Sequence, residues 1–135
     1  MAEKRPKRHL APFHRTFWEY CNKGEFRLQK CDACGNYEWP PSPVCSNGLS
    51  NDLTWTKLSG KGKIFTHCSF ERQYYQECPP PWQVILVELA EGPWFISNPK
   101  GIPKEQMKRG TPVKVTFIDC EDQAGQFKLP VFERA

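Results

Sequence analysis

Two of the seven cysteines in this 135-residue chain form the unit Cys31-Asp32-Ala33-Cys34-Gly35. A Cys-x-x-Cys-Gly turn brings both sulfurs to one side, and glycine readily adopts the positive φ such a turn requires. Cys45 follows after ten intervening residues, a workable spacing for a zinc ribbon. Cys31, Cys34 and Cys45 are therefore the expected ligands of a tetrahedral thiolate site, with zinc as the ion. A regular ribbon repeats the cysteine pair, yet the position three after Cys45 is Gly48, which has no side chain. The fourth ligand is open among Ser46, Asn47, Asp52, Cys21 and a water, and an apo ribbon is the alternative. An open fourth position is also how catalytic zinc looks. Catalysis needs a base and a substrate pocket beside the ion, and ribbon knuckles lie at a surface, so a structural role is expected.

The remaining cysteines, Cys68, Cys78 and Cys120, fall on or beside expected strands, where a small buried thiol is the ordinary reading. His67 adjoins Cys68, but neighbours on a strand point to opposite faces, so they make no nucleophile–base pair. His9 and His14 lie in or next to the basic N-terminal segment. The sequence contains no nucleophile elbow, P-loop, dinucleotide fingerprint or His-Glu-x-x-His motif. Basic residues offer a binding chemistry instead. Lys61 and Lys63 flank a turn, and Lys100, Lys104, Lys108 and Arg109 cluster further on. These residues and Arg72 are candidates for a phosphorylated ligand, and Tyr74, Tyr75, Trp82 and Trp94 offer stacking surfaces for an adenine or another aromatic group. The competing reading is a solvated surface.

Three regions must position these groups. Residues 1–12 read as a flexible basic tail, because Lys4, Arg5, Lys7 and Arg8 crowd together there. Residues 13–51 read as a helix plus the ribbon. Thr16 and Glu19 match a capping box, Phe17, Trp18, Tyr20 and Cys21 give the helix an apolar surface, and Gly24 ends it. Those aromatics need cover from the ribbon, the barrel or another subunit. Alternation from Glu25 feeds a strand into Cys31, and 37–39 is the return strand. From Asp52 onward, short alternating runs separated by turn residues signal a small all-β domain, 52–135. Strands are expected at 53–58, 63–70, 83–89, 94–98 and 113–120, with a further run at 126–132 and a helical turn near 103–109. The fold class is mainly β: a short helix and zinc ribbon followed by a five-stranded OB-fold barrel.

Hydrophobic residues make up 39% of the chain, with 9 Phe, 5 Trp and 4 Tyr, enough for a core without disulfides. No stretch approaches the ~20 apolar residues of a membrane span, and the basic start is not followed by a signal-peptide core. The expected location is the cytoplasm, where clustered cysteines stay reduced and bind metal. The net charge of +4 is modest.

Together, Phe17-Trp18-Glu19, Leu28-Gln29-Lys30-Cys31-Asp32-Ala33-Cys34-Gly35, the proline before Cys45, Asp52-Leu53-Thr54-Trp55 and Ser59-Gly60-Lys61-Gly62 resemble the acyl-CoA-associated family with a rubredoxin-like zinc ribbon and an OB-fold. The resemblance runs from about residue 13 to the end. It implies a non-catalytic accessory subunit that docks on a thiolase-type catalytic subunit, with the ribbon and helix at the enzyme and the barrel near coenzyme A or acyl-CoA. Within the family, the chain is similar to small subunits of thiolases of anaerobic toluene degradation. Gly48 departs from the family's second Cys-x-x-Cys pair. The alternative is an OB-fold that binds single-stranded nucleic acid. Acidic residues spread through the barrel region, among them Glu71, Glu77, Glu88, Glu91, Asp119, Glu121 and Asp122, argue against an extended basic groove.

Overall fold

The computed structural model describes residues 3–8 and 10–135, so His9 of the basic N-terminal segment lies outside the described residues. The elements in order are β1 (Glu3–Lys4), α1 (Pro12–Asn22), β2 (Arg27–Cys31), β3 (Tyr37–Glu38), β4 (Leu53–Lys57), β5 (Lys61–Phe70), β6 (Trp82–Leu89), β7 (Trp94–Ser97), a 3-10 turn (Lys104–Gln106), β8 (Pro112–Asp122) and β9 (Gly125–Arg134).

Helix α1 begins earlier than its capping-box reading. Pro12 occupies the first turn behind Ala11, where the fixed φ of proline suits a helix start and its missing N–H costs nothing. Thr16 thus lies inside the helix and turns its hydroxyl back to the Pro12 carbonyl at 3.5 Å. The C-terminus closes as expected at Gly24, whose φ is 77°. The Gly24 N–H reaches the Cys21 carbonyl and the Glu25 N–H reaches the Tyr20 carbonyl, the paired bonds of a Schellman cap.

The aromatics of α1 find their cover within the chain. Phe17 is buried against Trp39, 4.5 Å between ring centroids, and against Phe95. Trp18 meets Phe127 edge-on at 5.2 Å, and Tyr20 lies beside Trp55 at 5.9 Å. The helix therefore joins the ribbon side to the sheet side through one continuous core that also holds Phe26, Leu28, Ile64, Ile85, Val87 and Phe132.

The larger sheet runs β1-β8-β5-β6-β7, with β9 also paired to β8. Its connectivity is that of an OB-fold, and it curls without closing through a full ladder. One parallel bridge, Pro99 to Phe132, joins the end of β7 to β9. The Phe132 N–H bonds to the Asn98 carbonyl, and the Lys100 N–H bonds to the Phe132 carbonyl. The 3-10 turn stands where the helical turn was expected, with Pro103 at its start. All strands read from the sequence are present, but β4 pairs with β2 from Arg27↔Lys57 to Cys31↔Leu53. It completes the three-stranded ribbon sheet, order β3-β2-β4, and stands apart from the larger sheet.

The basic N-terminal segment, expected as a flexible tail, lies along β8, with Glu3↔Cys120 and Lys4↔Glu121 in parallel register. Charge explains the difference, since β8 ends in Asp119-Cys120-Glu121-Asp122. The Arg8 Nε contacts Asp122 Oδ2 at 2.7 Å, with the Asp122 side chain fully buried. The Arg8 guanidinium also stacks over Phe127 at 3.9 Å, and Arg5 lies over Trp82 at 4.6 Å. None of the described helices is long and apolar enough to cross a membrane.

Candidate metal centre and binding surfaces

The end of β2 and the segment before β4 each make a knuckle with the same backbone hydrogen bonds. In the first, the Gly35 N–H bonds to the Cys31 carbonyl and the Cys31 N–H to the Asn36 carbonyl, both at 2.7 Å. In the second, the Leu49 N–H bonds to the Cys45 carbonyl and the Cys45 N–H to the Ser50 carbonyl, again both at 2.7 Å. The fifth residue of each has positive φ, 78° at Gly35 and 58° at Leu49. Gly48 thus holds the place that Cys34 holds in the first knuckle, and a Cβ built there meets nothing within 4 Å.

The ligand atoms of Cys31, Cys34 and Cys45 all lie within 4.8 Å of one another, and the Cys34 and Cys45 sulfurs are 3.6 Å apart. Tetrahedral zinc with bonds of about 2.3 Å holds sulfurs ~3.8 Å apart, so the donor set fits such an ion. Cys31 and Cys45 are fully buried while Cys34 faces solvent. Zinc bound here would be held by these three thiolates and would cross-link the two knuckles.

The structure narrows the choice of fourth ligand. Cys21 and Asp52 are not among the grouped residues. Cys21 belongs to the core with Phe17 and Leu28, and burial pushes its thiol up to about 12 despite the nearby Arg8. Its sulfur therefore sits in the hydrophobic core and not with the grouped thiols of the knuckles. The Ser46 hydroxyl is engaged elsewhere, donating to Glu38 Oε1 at 2.5 Å.

Glu38, Gln29 and Asn36 were not singled out in the sequence. The Glu38 carboxylate also accepts from the Ser46 N–H at 2.7 Å and from Asn36 Nδ2 at 3.1 Å, so one buried acid ties both knuckles. Asn36 Nδ2 additionally lies 3.8 Å from the Cys45 sulfur. Gln29 grips the Ser42 backbone twice, donating to its carbonyl and accepting from its N–H. The available signal was position: Gln29 stands two residues before the first ligand and Glu38 one residue past Tyr37 on the return strand. Neither polar type identifies itself as buried.

The candidate basic residues are divided among several places. Lys61 and Lys63 are exposed on β5, and Lys104 and Lys108 are exposed around the 3-10 turn. The Arg109 guanidinium covers Phe65 at 4.3 Å, and Phe65 stacks on Trp94 at 4.6 Å. Lys100 lines a cavity of about 420 Å³ with Arg5, Trp82 and Asn98. Arg72 lines a separate cavity with Tyr74, Tyr75 and Trp82, so four of the five stacking and basic candidates of that region come together while Trp94 does not. Cys68 is exposed and His67 half-buried on β5.

Two family descriptions match in sequence order: "ChsH2, rubredoxin-like zinc ribbon domain" over residues 18–52 and "ChsH2, C-terminal OB-fold domain" over residues 55–117. Among curated proteins, a "Probable enoyl-CoA hydratase alpha subunit" of Thermomonospora curvata is 28% identical over 89% of this chain and 37% of its own length. The "3-oxo-4,17-pregnadiene-20-carboxyl-CoA hydratase alpha subunit" of Mycobacterium tuberculosis is 28% identical over 78% of this chain and 34% of its own. The chain thus spans little more than a third of the length of these relatives. A "DUF35 domain-containing scaffold protein" of Pyrococcus furiosus is 27% identical over 73% of this chain and 74% of its own length. Among solved structures, the "Ltp2-ChsH2(DUF35) aldolase" superposes with a TM-score of 0.81 at 25% identity, covering 95% of this chain and 98% of that one. With both domains matched in order and the architecture shared almost end to end, the chain belongs to the ChsH2 family of rubredoxin-like zinc-ribbon and OB-fold proteins, also called DUF35.

Proposed function

We propose that this chain is a non-catalytic accessory subunit of an acyl-CoA-processing complex, docking on a catalytic subunit and assisting the binding of coenzyme A or acyl-CoA. The observation that carries this reading is the end-to-end likeness to a solved chain named as an "Ltp2-ChsH2(DUF35) aldolase". The alpha-subunit and scaffold names of the other relatives support it. So does the surface. Trp94 and Ile96 stand half or more exposed on β7, beside half-buried Val84 of β6. Large apolar side chains left in water in this way suit a protein interface.

The finer reading is a thiolase as partner, in an acyltransferase complex of anaerobic toluene degradation, with this chain as the small subunit of a benzoylsuccinyl-CoA thiolase. Structural zinc held by Cys31, Cys34 and Cys45 would brace the ribbon, and Lys61, Lys63, Arg72, Lys100, Lys104, Lys108 and Arg109 are the cations available to the phosphates of coenzyme A. The test is purification of the tagged chain from its native cells, followed by identification of the bound protein and thiolysis assays. The expected result is a larger thiolase-like subunit whose activity depends on this chain. Full thiolytic activity of the pure chain alone, or a partner fully active without it, overturns the proposal.

A further inference from the structure

The β5–β6 connection builds a cup unrelated to the metal centre. Phe70 ends β5 and Trp82 begins β6, and the two are paired across the ladder. Above them, Tyr74 meets Phe70 edge-on at 6.1 Å. Tyr75 and Cys78 continue the wall, and Pro6 of the N-terminal segment closes it, around a cavity of about 310 Å³. That volume is at the small end of the ~300–1,000 Å³ typical of ligand sites. Phe70, Tyr74 and Tyr75 are 42%, 67% and 58% exposed, so three large rings remain in water around a concave site. At the rim, Arg72 has no hydrogen-bond or ion-pair partner among the described residues.

We infer that this cup binds a planar aromatic ring carrying an anionic tail, the ring lying among Phe70, Tyr74, Tyr75 and Trp82 and the anion meeting Arg72. Rings prefer ring neighbours in offset or edge-on geometry, and a guanidinium suits a carboxylate. A purine fits less well. A purine nucleotide is larger than a single ring with a short tail, and a cup at the small end of the ligand range favours the smaller group. Burial raises the Cys78 thiol, so the sulfur in that wall stays uncharged at neutral pH. The site stands on its own geometry and does not depend on which catalytic subunit the chain docks upon.

The experiment is a titration of the purified full chain with 3-phenylpropionate, followed by tryptophan fluorescence and checked by calorimetry. Saturable binding is expected. Arg72→Ala should weaken it about tenfold, the loss of one charge-assisted contact, and Tyr75→Ala should weaken it similarly, with circular dichroism unchanged in both. Trp82→Phe should retain calorimetric binding and lose most of the fluorescence change. Cyclohexanepropionate and adenosine 5′-monophosphate should bind at least about tenfold more weakly. No saturable binding at millimolar concentration, equal affinity for either comparator, or an Arg72→Ala variant that binds like the parent overturns the inference. Any of these results leaves the co-purification test of subunit function untouched.

Discussion

Leu49 stands in the second knuckle where Gly35 stands in the first: each donates its N–H at 2.7 Å to the carbonyl of the cysteine four residues earlier, and each has positive φ. A leucine held there costs roughly 1 kcal/mol relative to glycine. The backbone of a complete four-ligand ribbon is therefore preserved around a position, Gly48, that supplies no ligand. A metal bound here would be limited by a missing side chain and not by the shape of the loop.

Gly48→Cys should accordingly raise zinc affinity about tenfold or more, because open space surrounds the new Cβ and the turn already aims it as Cys34 is aimed. Competition against a chromophoric chelator measures this. Unchanged affinity would show that the second knuckle does not present its fourth position to the ion.

Glu38 should matter nearly as much as a ligand. Replacing it with alanine strips three hydrogen bonds that hold Asn36 and Ser46, and loss of such supporting contacts costs about 10–100-fold in metal affinity. The same competition assay checks it, and zinc release on heating should move to lower temperature in parallel.

Arg8 and Asp122 predict a pH dependence. Burial alone would raise the Asp122 carboxyl, but hydrogen bonds from the Arg8 side chain and N–H and from the Ala124 N–H outweigh it and hold it below the usual range. A depressed folded value means that its stabilisation is present above the unfolded value of about 3.9 and is lost as pH falls through the folded one. Asp122→Asn should cost about 3 kcal/mol at neutral pH by leaving Arg8 unpaired. The gap between the variant and the parent should shrink as the pH falls below about 4. Urea denaturation at a series of pH values reads both effects.

Gly62 should tolerate no side chain. A Cβ there would come within 2.7 Å of the Glu88 carbonyl oxygen and 2.8 Å of Val87 Cγ1 on the paired strand, and neither the backbone nor a buried valine can yield cheaply. Gly62→Ala should lower stability by about 2 kcal/mol, with a loss of midpoint in thermal unfolding.

The strands from β5 to β9 were legible because alternation and turn residues coincide there, and Cys31, Cys34 and Cys45 were legible because ligand spacing is a covalent property of the chain. Partnership between elements was harder to read. The alternating run at β4 announces a strand but not its neighbour, and the register of Leu53 with Cys31 is set by loop closure over the second knuckle. Glu38 and Gln29 were invisible for a related reason: their burial depends on backbone donors and acceptors from a distant loop. Arg8 was read from local charge density alone, whereas its partner Asp122 is 114 residues away.

Pairing of Glu3 and Lys4 with the far end of β8 has a practical meaning for anyone handling this protein. The hydrogen-bonding rim of a sheet, left bare, templates pairing with other chains. Trimming the first eight residues, or pulling them away with a bulky fusion, would lay open that rim beside an unneutralised Asp119–Asp122 cluster. The shortened chain should then gain a tendency to self-associate that its composition does not announce.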